Sequence, residues 1–205
     1  MKAKELQTPN TIALARDLIG KHLVRRYPDG REEARMITEV EAYHGESDLA
    51  CHARVGRTKR TEILYAAGGV WYVYLCYGIH EMLNLVVGPR DRPAAILIRS
   101  VEGIVGPGRM TKALAIDRTL NGAPAKVTRG LWLEDRGERV SRRRVRSTPR
   151  IGIGFAGPIW AMKPWRFELV AAAVGRKAAT SVQKDRQRNR RITRRKSVGE
   201  KGRSH

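Results

Sequence analysis

Residues 37–45 read Ile-Thr-Glu-Val-Glu-Ala-Tyr-His-Gly, and polar and apolar side chains alternate along the middle of this segment. Such alternation is typical of a β-strand, in which successive side chains point to opposite faces of a sheet. Glu39 and Glu41 therefore share one face, and Gly45 begins the loop that follows. One interpretation is that both glutamates line a solvated face. The other is that Glu41, near aromatic and imidazole side chains, is a partly desolvated general base.

Composition and charge narrow the class of protein. The chain has 205 residues, of which 41% are hydrophobic, so it is long enough to fold around a core. Its net charge of +21 and pI of about 11.0 favour nucleic acid, an anionic membrane surface or an acidic protein as the partner. No apolar run approaches the ~20 residues that span a bilayer. Residues 1–10 also lack the apolar core of a signal peptide. We therefore expect an intracellular protein that binds nucleic acid and no membrane.

The remaining pattern predicts an α+β fold with a mostly antiparallel sheet. An apolar stripe from Ile12 to Ile19, ended by Gly20, predicts the first helix, and a second is expected at 109–116. Strands are predicted at 22–27, around Glu41, and at 70–78, 82–87, 94–100 and 131–134. Residues 138–150 carry six arginines and are expected to form an exposed basic loop.

Charge also divides the chain into two expected parts, a folded domain at 1–175 and a basic tail at 176–205. The tail contains twelve Lys or Arg, two acidic residues and almost no apolar side chains. Such a composition cannot bury enough apolar surface to fold, so we expect the tail to be disordered when it is free.

Several short motifs become informative when they are taken together. They are Glu39-Val40-Glu41-Ala42-Tyr43, His52-Ala53-Arg54, Tyr72-Val73-Tyr74-Leu75-Cys76-Tyr77-Gly78 with Asn84, Ile96-Leu97-Ile98-Arg99, Gly106-Pro107-Gly108 before Lys112-Ala113-Leu114-Ala115-Ile116, Arg150-Ile151-Gly152-Ile153-Gly154, and Pro164-Trp165-Arg166-Phe167. In this order the chain resembles the 3-methyladenine (alkyladenine) DNA glycosylase family from about Ala15 to Phe167. The resemblance implies a single mixed domain with a curved antiparallel sheet and surrounding helices.

The resemblance also implies an activity. Members of this family excise alkylated or deaminated purines, such as 3-methyladenine, 7-methylguanine and hypoxanthine, from double-stranded DNA. They use water as the nucleophile, form no covalent intermediate with a lysine and leave an abasic site for base excision repair. We therefore expect a monofunctional purine DNA glycosylase that works as a monomer, with no cofactor and no metal.

The same resemblance assigns two catalytic residues. Glu41 matches the general base that activates water and stabilises a sugar resembling an oxocarbenium ion. Arg99 matches an arginine that helps hold this water and orients Glu41. An arginine at the end of the apolar run 94–98 also needs a buried partner, for which Glu41 is suitable.

Five further residues match the pocket that receives the base after it has been flipped out of the duplex. Tyr43 and Tyr74 are expected to stack on the base, and His52 is expected to close the pocket. Asn84 would read the purine edge and obstruct the exocyclic amino group of normal guanine. The backbone at Ile153 would contact the water.

Contacts with the rest of the DNA are expected from one aromatic and several basic side chains. Tyr77 matches the wedge that fills the gap left in the duplex. Arg54, Arg57, Arg109 and Lys112 are the basic residues nearest to the motifs, and we expect them to contact phosphates.

The sequence departs from the family pattern at three positions, which lie in two segments. Residues 58–61 read Thr-Lys-Arg-Thr where the family usually has Thr-Pro-Arg-Asn, and Phe155 stands where His or Tyr is common. The arginines at 142–144 and the tail have no counterpart in the pattern.

A metal-dependent enzyme is disfavoured by the cysteine pattern. His44 and Glu46 match the start of a nucleobase-deaminase motif, but the Pro-Cys-x-x-Cys that completes it is absent. Cys51 and Cys76 fit free thiols in a reducing compartment, and a disulfide between them stays open.

A non-catalytic basic nucleic-acid-binding protein on the same fold is the other alternative, because charge predicts binding and not chemistry. Glu41 and Arg99 distinguish the two, since a pure binder would be weakened by a buried carboxylate that faces DNA.

Overall fold

The predicted strands are all present in the computed structural model, which describes residues 1 and 3–170. Within these residues there are eight strands: β1 (His22–Arg26), β2 (Glu32–His44), β3 (Val70–Cys76), β4 (His80–Val86), β5 (Ala94–Val101), β6 (Leu131–Glu134), β7 (Val145–Thr148) and β8 (Arg166–Leu169). They form one sheet in the order β3-β4-β5-β2-β1-β6, and β8 joins β2 to β7. All of the strand pairs are antiparallel, which confirms the predicted α+β class with a mostly antiparallel sheet.

The long strand β2 lies at the centre of the sheet. It pairs with β5 along one edge, while its other edge pairs first with β1 and then, at residues 39–41, with β8. The β2–β5 register shifts on both sides of Glu39. Such irregularities bend a strand and re-aim its side chains. The segment that carries both glutamates is therefore held on two edges at a bend.

Four α-helices of the described residues surround the sheet: α1 (Ala3–Leu6), α2 (Thr11–Leu18), α3 (Pro107–Ala113) and α4 (Gly157–Ala161). Asn10 caps α2, because its Oδ1 accepts the backbone N–H of Ala13 at 3.0 Å. Leu14, Ala15 and Leu18 of α2 are buried in the main core. Each fully buried leucine contributes about 2 kcal/mol. The apolar stripe thus forms the predicted helix and holds it against the sheet.

The two faces of the sheet differ in content, as the alternation along each strand requires. One face carries the main core, which includes Val40, Ala42, Trp71, Val73, Leu83, Leu85, Ile96 and Ile98. Intervening residues of the same strands lie on the other face: Glu39, Glu41, Tyr43, Tyr72, Tyr74, Met82, Asn84, Leu97 and Arg99. Polar and aromatic side chains of four strands are therefore gathered on one surface.

The prediction of an exposed basic loop at 138–150 is wrong in part. Residues Arg142–Arg144 form a 3₁₀ turn, and β7 follows and pairs with β8. Arg150 is buried, because its charge is compensated by Asp48. The helix predicted at 109–116 is α3, which begins two residues earlier and ends at Ala113.

The predicted tail at 176–205 lies outside the described residues, as does the boundary at 175. Among the residues that are described, no helix is both long enough and apolar enough to cross a bilayer.

Candidate active site

A cavity of about 430 Å³ opens on the polar face of the sheet. Eight of the residues assigned from the sequence line it: Glu41, Tyr43, His52, Tyr74, Tyr77, Asn84, Arg99 and Ile153. They come from β2, β3, β4 and β5, from the loops after β2 and β3, and from the loop after β7. The structure therefore brings together residues that are up to 112 positions apart in the chain.

Glu41 is fully buried, with 0% of its surface exposed, although it lines this cavity. Its Oε1 accepts the backbone N–H of Ile151 at 2.8 Å and lies 3.2 Å from Nη1 of Arg99. Its Oε2 accepts the hydroxyl of Tyr43 at 2.8 Å. Two hydrogen bonds and one ion pair, from three segments, thus hold the carboxylate in one orientation. The interpretation of Glu41 as a solvated strand residue is wrong.

Arg99 joins Glu41 to a second buried carboxylate. Its Nε donates to Oε1 of Glu39 at 2.8 Å, and Nε of Arg166 donates to the same oxygen at 2.6 Å. The hydroxyl of Ser100 donates to Glu39 Oε2 at 2.5 Å. Burial acts to raise the pKa of Glu39, but the hydrogen bonds from Ser100 and Arg166 and the charge of Arg99 outweigh it and hold this pKa below its usual value.

Burial and the same two carboxylates also shift the pKa of Arg99. Burial acts to lower the pKa of its guanidinium, but the charges of Glu41 and Glu39 raise it above its ordinary value. Arg99 is therefore a permanent cation at this site. Its expected buried partner, Glu41, is present, and Glu39 is a second partner that the sequence did not indicate.

His52 is a neutral imidazole near pH 7. Burial, with the nearby charges of Arg60 and Arg54, lowers its pKa to about 4. Its Nδ1 lies 3.0 Å from the hydroxyl of Tyr72, and its Nε2 lies 3.4 Å from Nη2 of Arg60. A guanidinium only donates, so Nε2 is the acceptor and the ring proton lies on Nδ1.

Aromatic rings form much of the cavity wall. The rings of His52 and Tyr74 meet edge to face, with centroids 4.7 Å apart. Tyr72, assigned to packing, is buried and its ring lies 5.3 Å from that of Tyr74. Burial raises the pKa of Tyr43 well above its ordinary value, and the adjacent Glu41 raises it further, so the hydroxyl of Tyr43 stays a donor.

Asn84 and Ile153 are buried and line the same cavity. The amide nitrogen of Asn84 donates to the carbonyls of Tyr72 and Met82, both at 3.2 Å. These two bonds occupy the amide hydrogens of Asn84, so its other polar atom is Oδ1, which is an acceptor. Ile153 is buried and packs beside Ala50 at the cavity edge.

Tyr77 stands at the tip of the hairpin between β3 and β4. Its side chain is 89% exposed and its backbone φ is 51°, in the left-handed region that costs a non-glycine residue about 1 kcal/mol. Gly78 follows with a φ of 71°, and Ile79 beside it is also exposed. The turn therefore projects an apolar pair from the rim of the cavity into solvent.

Comparison with known proteins agrees with this geometry. The family model described as Methylpurine-DNA glycosylase matches residues 5–105 and 102–173. A protein of Psychrobacter cryohalolentis whose name is that of a 3-methyladenine DNA glycosylase is 46% identical over 72% of this chain and 82% of its own length. A relative from an Anaeromyxobacter species is 42% identical over 82% and 88%, and one from Methanocella arvoryzae is 41% identical over 77% and 86%. Both of these have the same name.

The chain belongs to the methylpurine-DNA glycosylase family. It is therefore a DNA glycosylase, an enzyme that hydrolyses N-glycosyl bonds, and it acts on DNA in DNA repair. This confirms the family assigned from the motifs. The roles of the individual residues stay predictions.

The four basic residues assigned to phosphates of the glycosylase substrate differ in their surroundings. Arg109 and Lys112 are exposed on α3 and form no ion pair within the described part of the chain. Arg54 is exposed and lies 5.2 Å from the ring of Phe155. Arg57 is paired with both Glu62 and Asp91, so a phosphate contact would have to break two ion pairs.

The loop that departs from the family pattern closes on itself through two threonines. The backbone N–H of Thr58 donates to Oγ1 of Thr61 at 2.8 Å, and this hydroxyl donates to the carbonyl of Gly56 at 2.7 Å. Arg60 of this loop lies 5.5 Å from the ring of Tyr74 at the cavity mouth. Sequence reasoning did not assign Arg60 or Phe155 to the glycosylase site, although both line the cavity.

Sequence reasoning assigned no role to Asp48 or Arg150, which form a buried ion pair. Both are fully buried and bonded to each other behind Tyr43. A signal was available, because an arginine in the apolar, glycine-rich run 150–154 requires a buried partner. The sequence does not say which acidic residue that partner is.

Both cysteines are free thiols, and both line the cavity of the glycosylase. Burial raises the pKa of Cys51 to about 11, so its thiol is protonated and weakly reactive. Within the described residues, no group of three or more His, Cys, Asp or Glu side chains is arranged to hold a metal ion.

Proposed function

We propose that the enzyme releases alkylated and deaminated purines, of the 3-methyladenine, 7-methylguanine and hypoxanthine class, from double-stranded DNA by hydrolysis. The observation that carries the proposal is the position of Glu41, a fully buried carboxylate held by two hydrogen bonds and the ion pair with Arg99 at a cavity lined by aromatic rings. A buried acid that faces a pocket lined by aromatic rings serves chemistry better than it serves the binding of a polyanion.

Glu41 acts as the general base. The bond between the anomeric carbon and the purine nitrogen breaks, and its electron pair leaves with the base, so a cationic alkylated purine departs as a neutral molecule. Glu41 takes a proton from the water that attacks the anomeric carbon, and its charge stabilises the oxocarbenium-like sugar. Arg99 orients Glu41 and helps hold the water, and the backbone at Ile153 contacts the same water. Among the described residues that line the cavity none is a lysine, which favours water over an amine as the nucleophile. The product is an abasic site in an intact strand.

The flipped base lies between Tyr43 and Tyr74, and His52 closes the pocket. Alkylated purines often carry a positive charge, and the electron-rich faces of aromatic rings attract cations. A neutral His52 adds no positive charge that would repel such a base. Asn84 faces the purine edge and excludes bases with an exocyclic amino group at the wrong place.

Tyr77 enters the duplex in place of the flipped nucleotide, because an exposed aromatic side chain at a hairpin tip can stack between base pairs. Arg54, Arg109 and Lys112 contact phosphates, and Arg57 joins them only if its pairs with Glu62 and Asp91 open. The enzyme works as a monomer.

The experiment measures base release from two duplexes, one with 3-methyladenine and one with hypoxanthine, by wild type and by Glu41→Gln. We expect free base and abasic sites without strand nicking from wild type only. The variant should lose about 10²–10⁴-fold of the rate and bind the duplex as well as wild type or better. The duplex from which base is released shows whether the enzyme accepts alkylated purines, deaminated purines or both. Binding without release by both proteins would instead support a DNA-binding protein on a glycosylase fold.

A further inference from the structure

The buried pair of Asp48 and Arg150 lies outside the cavity lining, directly behind one of its walls. Both side chains have 0% of their surface exposed. Nη1 and Nη2 of Arg150 donate to the two carboxylate oxygens of Asp48 at 2.6 and 2.9 Å. Asp48 Oδ1 also accepts the backbone N–H of Ala50 at 3.0 Å, in the loop that follows β2. The pair therefore ties the loop after β2 to the loop after β7.

Arg150 also contacts the strand that carries Glu41. Its Nη1 donates to the carbonyl of Ala42 at 2.8 Å, between Glu41 and Tyr43. Its guanidinium lies 4.7 Å from the centroid of the Tyr43 ring. Since Tyr43 lines the cavity and Arg150 does not, the guanidinium supports this ring from the side opposite to the cavity.

Ile151, the residue after Arg150, binds the carboxylate of Glu41 directly. The backbone N–H of Ile151 donates to Glu41 Oε1 at 2.8 Å, so any shift of Arg150 moves a donor of the carboxylate. One side chain therefore determines the main chain at Ala42, the ring of Tyr43 and the position of the Ile151 N–H.

Stability alone does not account for this pair. A buried ion pair is often no more stable than apolar residues of the same volume, because the desolvation of both charges is costly. Nε of Arg150 is buried and has no hydrogen-bond partner among the described residues, which adds to that cost. The pair instead fixes an orientation, because two parallel hydrogen bonds to Asp48 hold the planar guanidinium of Arg150 in one plane.

We propose that Arg150, with its charge compensated by Asp48, is a positioning residue that sets Tyr43 and Glu41 for base release. This inference rests on the proposed function, in which Tyr43 stacks on the base and Glu41 is the general base. Arg150 touches neither the DNA nor the reacting atoms, so its loss affects the chemical step and spares the binding of the duplex.

The test compares Arg150→Gln with Arg146→Gln as a matched control. Arg146 is an exposed arginine on β7 that pairs with Glu168, away from the cavity. Single-turnover release and the Kd for a duplex with an abasic-site analogue are measured for both. We expect Arg150→Gln to slow release about 100-fold, the effect of a 1 Å misplacement of a reacting group, with an unchanged Kd. Arg146→Gln should match wild type in both.

A second measurement does not depend on activity. Amide hydrogen exchange at Ile151 should become faster in Arg150→Gln and stay unchanged in Arg146→Gln, because only the first variant frees the donor of Glu41. If Arg150→Gln does not fold, the double variant Asp48→Asn with Arg150→Gln removes both buried charges and is measured in the same way.

Wild-type release and wild-type exchange at Ile151 in the folded variant would overturn the proposal. An equal loss of release and of duplex affinity would also overturn it, because that result indicates a general structural defect. If wild type itself releases no base from any duplex, the proposed function fails, and exchange at Ile151 still decides whether Arg150 positions this loop.

Discussion

The hydroxyl of Tyr43 donates to Oε2 of Glu41 at 2.8 Å, and the two residues lie two positions apart on the same face of β2. The proposed wall of the base pocket and the proposed general base are therefore joined by one hydrogen bond. A base that stacks on Tyr43 would thus be held in register with the carboxylate that activates water.

Replacing Tyr43 by Phe should slow base release and retain stacking. A hydrogen bond to a charged group contributes about 1.5–3 kcal/mol, so we expect the single-turnover rate to fall about ten- to a hundredfold. Tyr27→Phe is the matched control, since Tyr27 donates to Oε2 of Glu33 at 2.9 Å, at the other end of β2. Equal rates for the two variants would show that the bond to Glu41 has no part in the reaction.

Replacing Glu39 by Gln should affect Arg99 and through it Glu41. The variant leaves Arg99 and Arg166 without the carboxylate that both bind, and breaking a buried pair costs about 3 kcal/mol. We expect a lower free energy of unfolding in urea and slower release at an unchanged Kd for the duplex.

Glu168→Gln is the control for Glu39, because Glu168 pairs with Arg166 and Arg146 but does not bind Arg99. This control should lose some stability and keep its rate. A Glu39→Gln protein that releases base as fast as wild type would contradict a role for Glu39 in orienting Arg99.

Replacing Tyr77 by Ala should weaken binding to damaged duplex without destabilising the protein. The side chain is exposed, so the free energy of unfolding should change by less than about 0.5 kcal/mol. Loss of a stacked aromatic ring costs about 1–3 kcal/mol, which corresponds to a Kd higher by about 5- to 150-fold.

The fluorescence of 2-aminopurine placed beside the lesion measures flipping directly, and it should rise less with Tyr77→Ala than with wild type. Ile159→Ala, at another exposed apolar residue, is the control. Identical fluorescence and Kd for wild type and Tyr77→Ala would rule out the insertion of Tyr77 into the duplex.

His52 should make the protein less stable as the pH falls from 6.5 to about 4. Its pKa is about 4 in the folded protein and about 6.5 in the unfolded chain, so between these values only the unfolded chain binds the proton. The free energy of unfolding should fall by up to about 1.4 kcal/mol per pH unit in this range from His52 alone.

Urea unfolding at pH 7 and pH 5 checks this prediction, with His52→Gln beside wild type. The variant should lose less stability between the two pH values, while His80→Gln, at an exposed histidine, should behave as wild type does. The same pH dependence in wild type and His52→Gln would contradict the lowered pKa.

Salt dependence should separate the basic residues that contact phosphate from those that do not. Each neutralised phosphate adds about 0.9 to the slope of log K against log salt, so Arg109→Gln should lower the slope by that amount. Arg57→Gln should leave it unchanged, because Arg57 is held by Glu62 and Asp91. Equal reductions in both variants would mean that these ion pairs open when DNA binds.

Local patterns were sufficient for most of the fold. Strand alternation predicted β2 and placed Glu39 and Glu41 on one face, because the side-chain period of a strand depends only on the backbone. The same rule failed for β7, where arginines concealed a short strand that pairs with β8. An edge strand of this kind depends on its partner more than on its own composition.

Taken alone, the sequence determined the family, the main strands, the first helix and the motif residues that line the cavity. Each of these depends on residue identity or on a short period. Only the tertiary structure decided that Arg150 binds Asp48, that Ile151 donates to Glu41 and that Arg57 is paired with Asp91. These partners lie 34 to 110 positions apart. No local pattern specifies such pairs, because packing of the whole sheet brings the charges together and burial then makes each one require a partner.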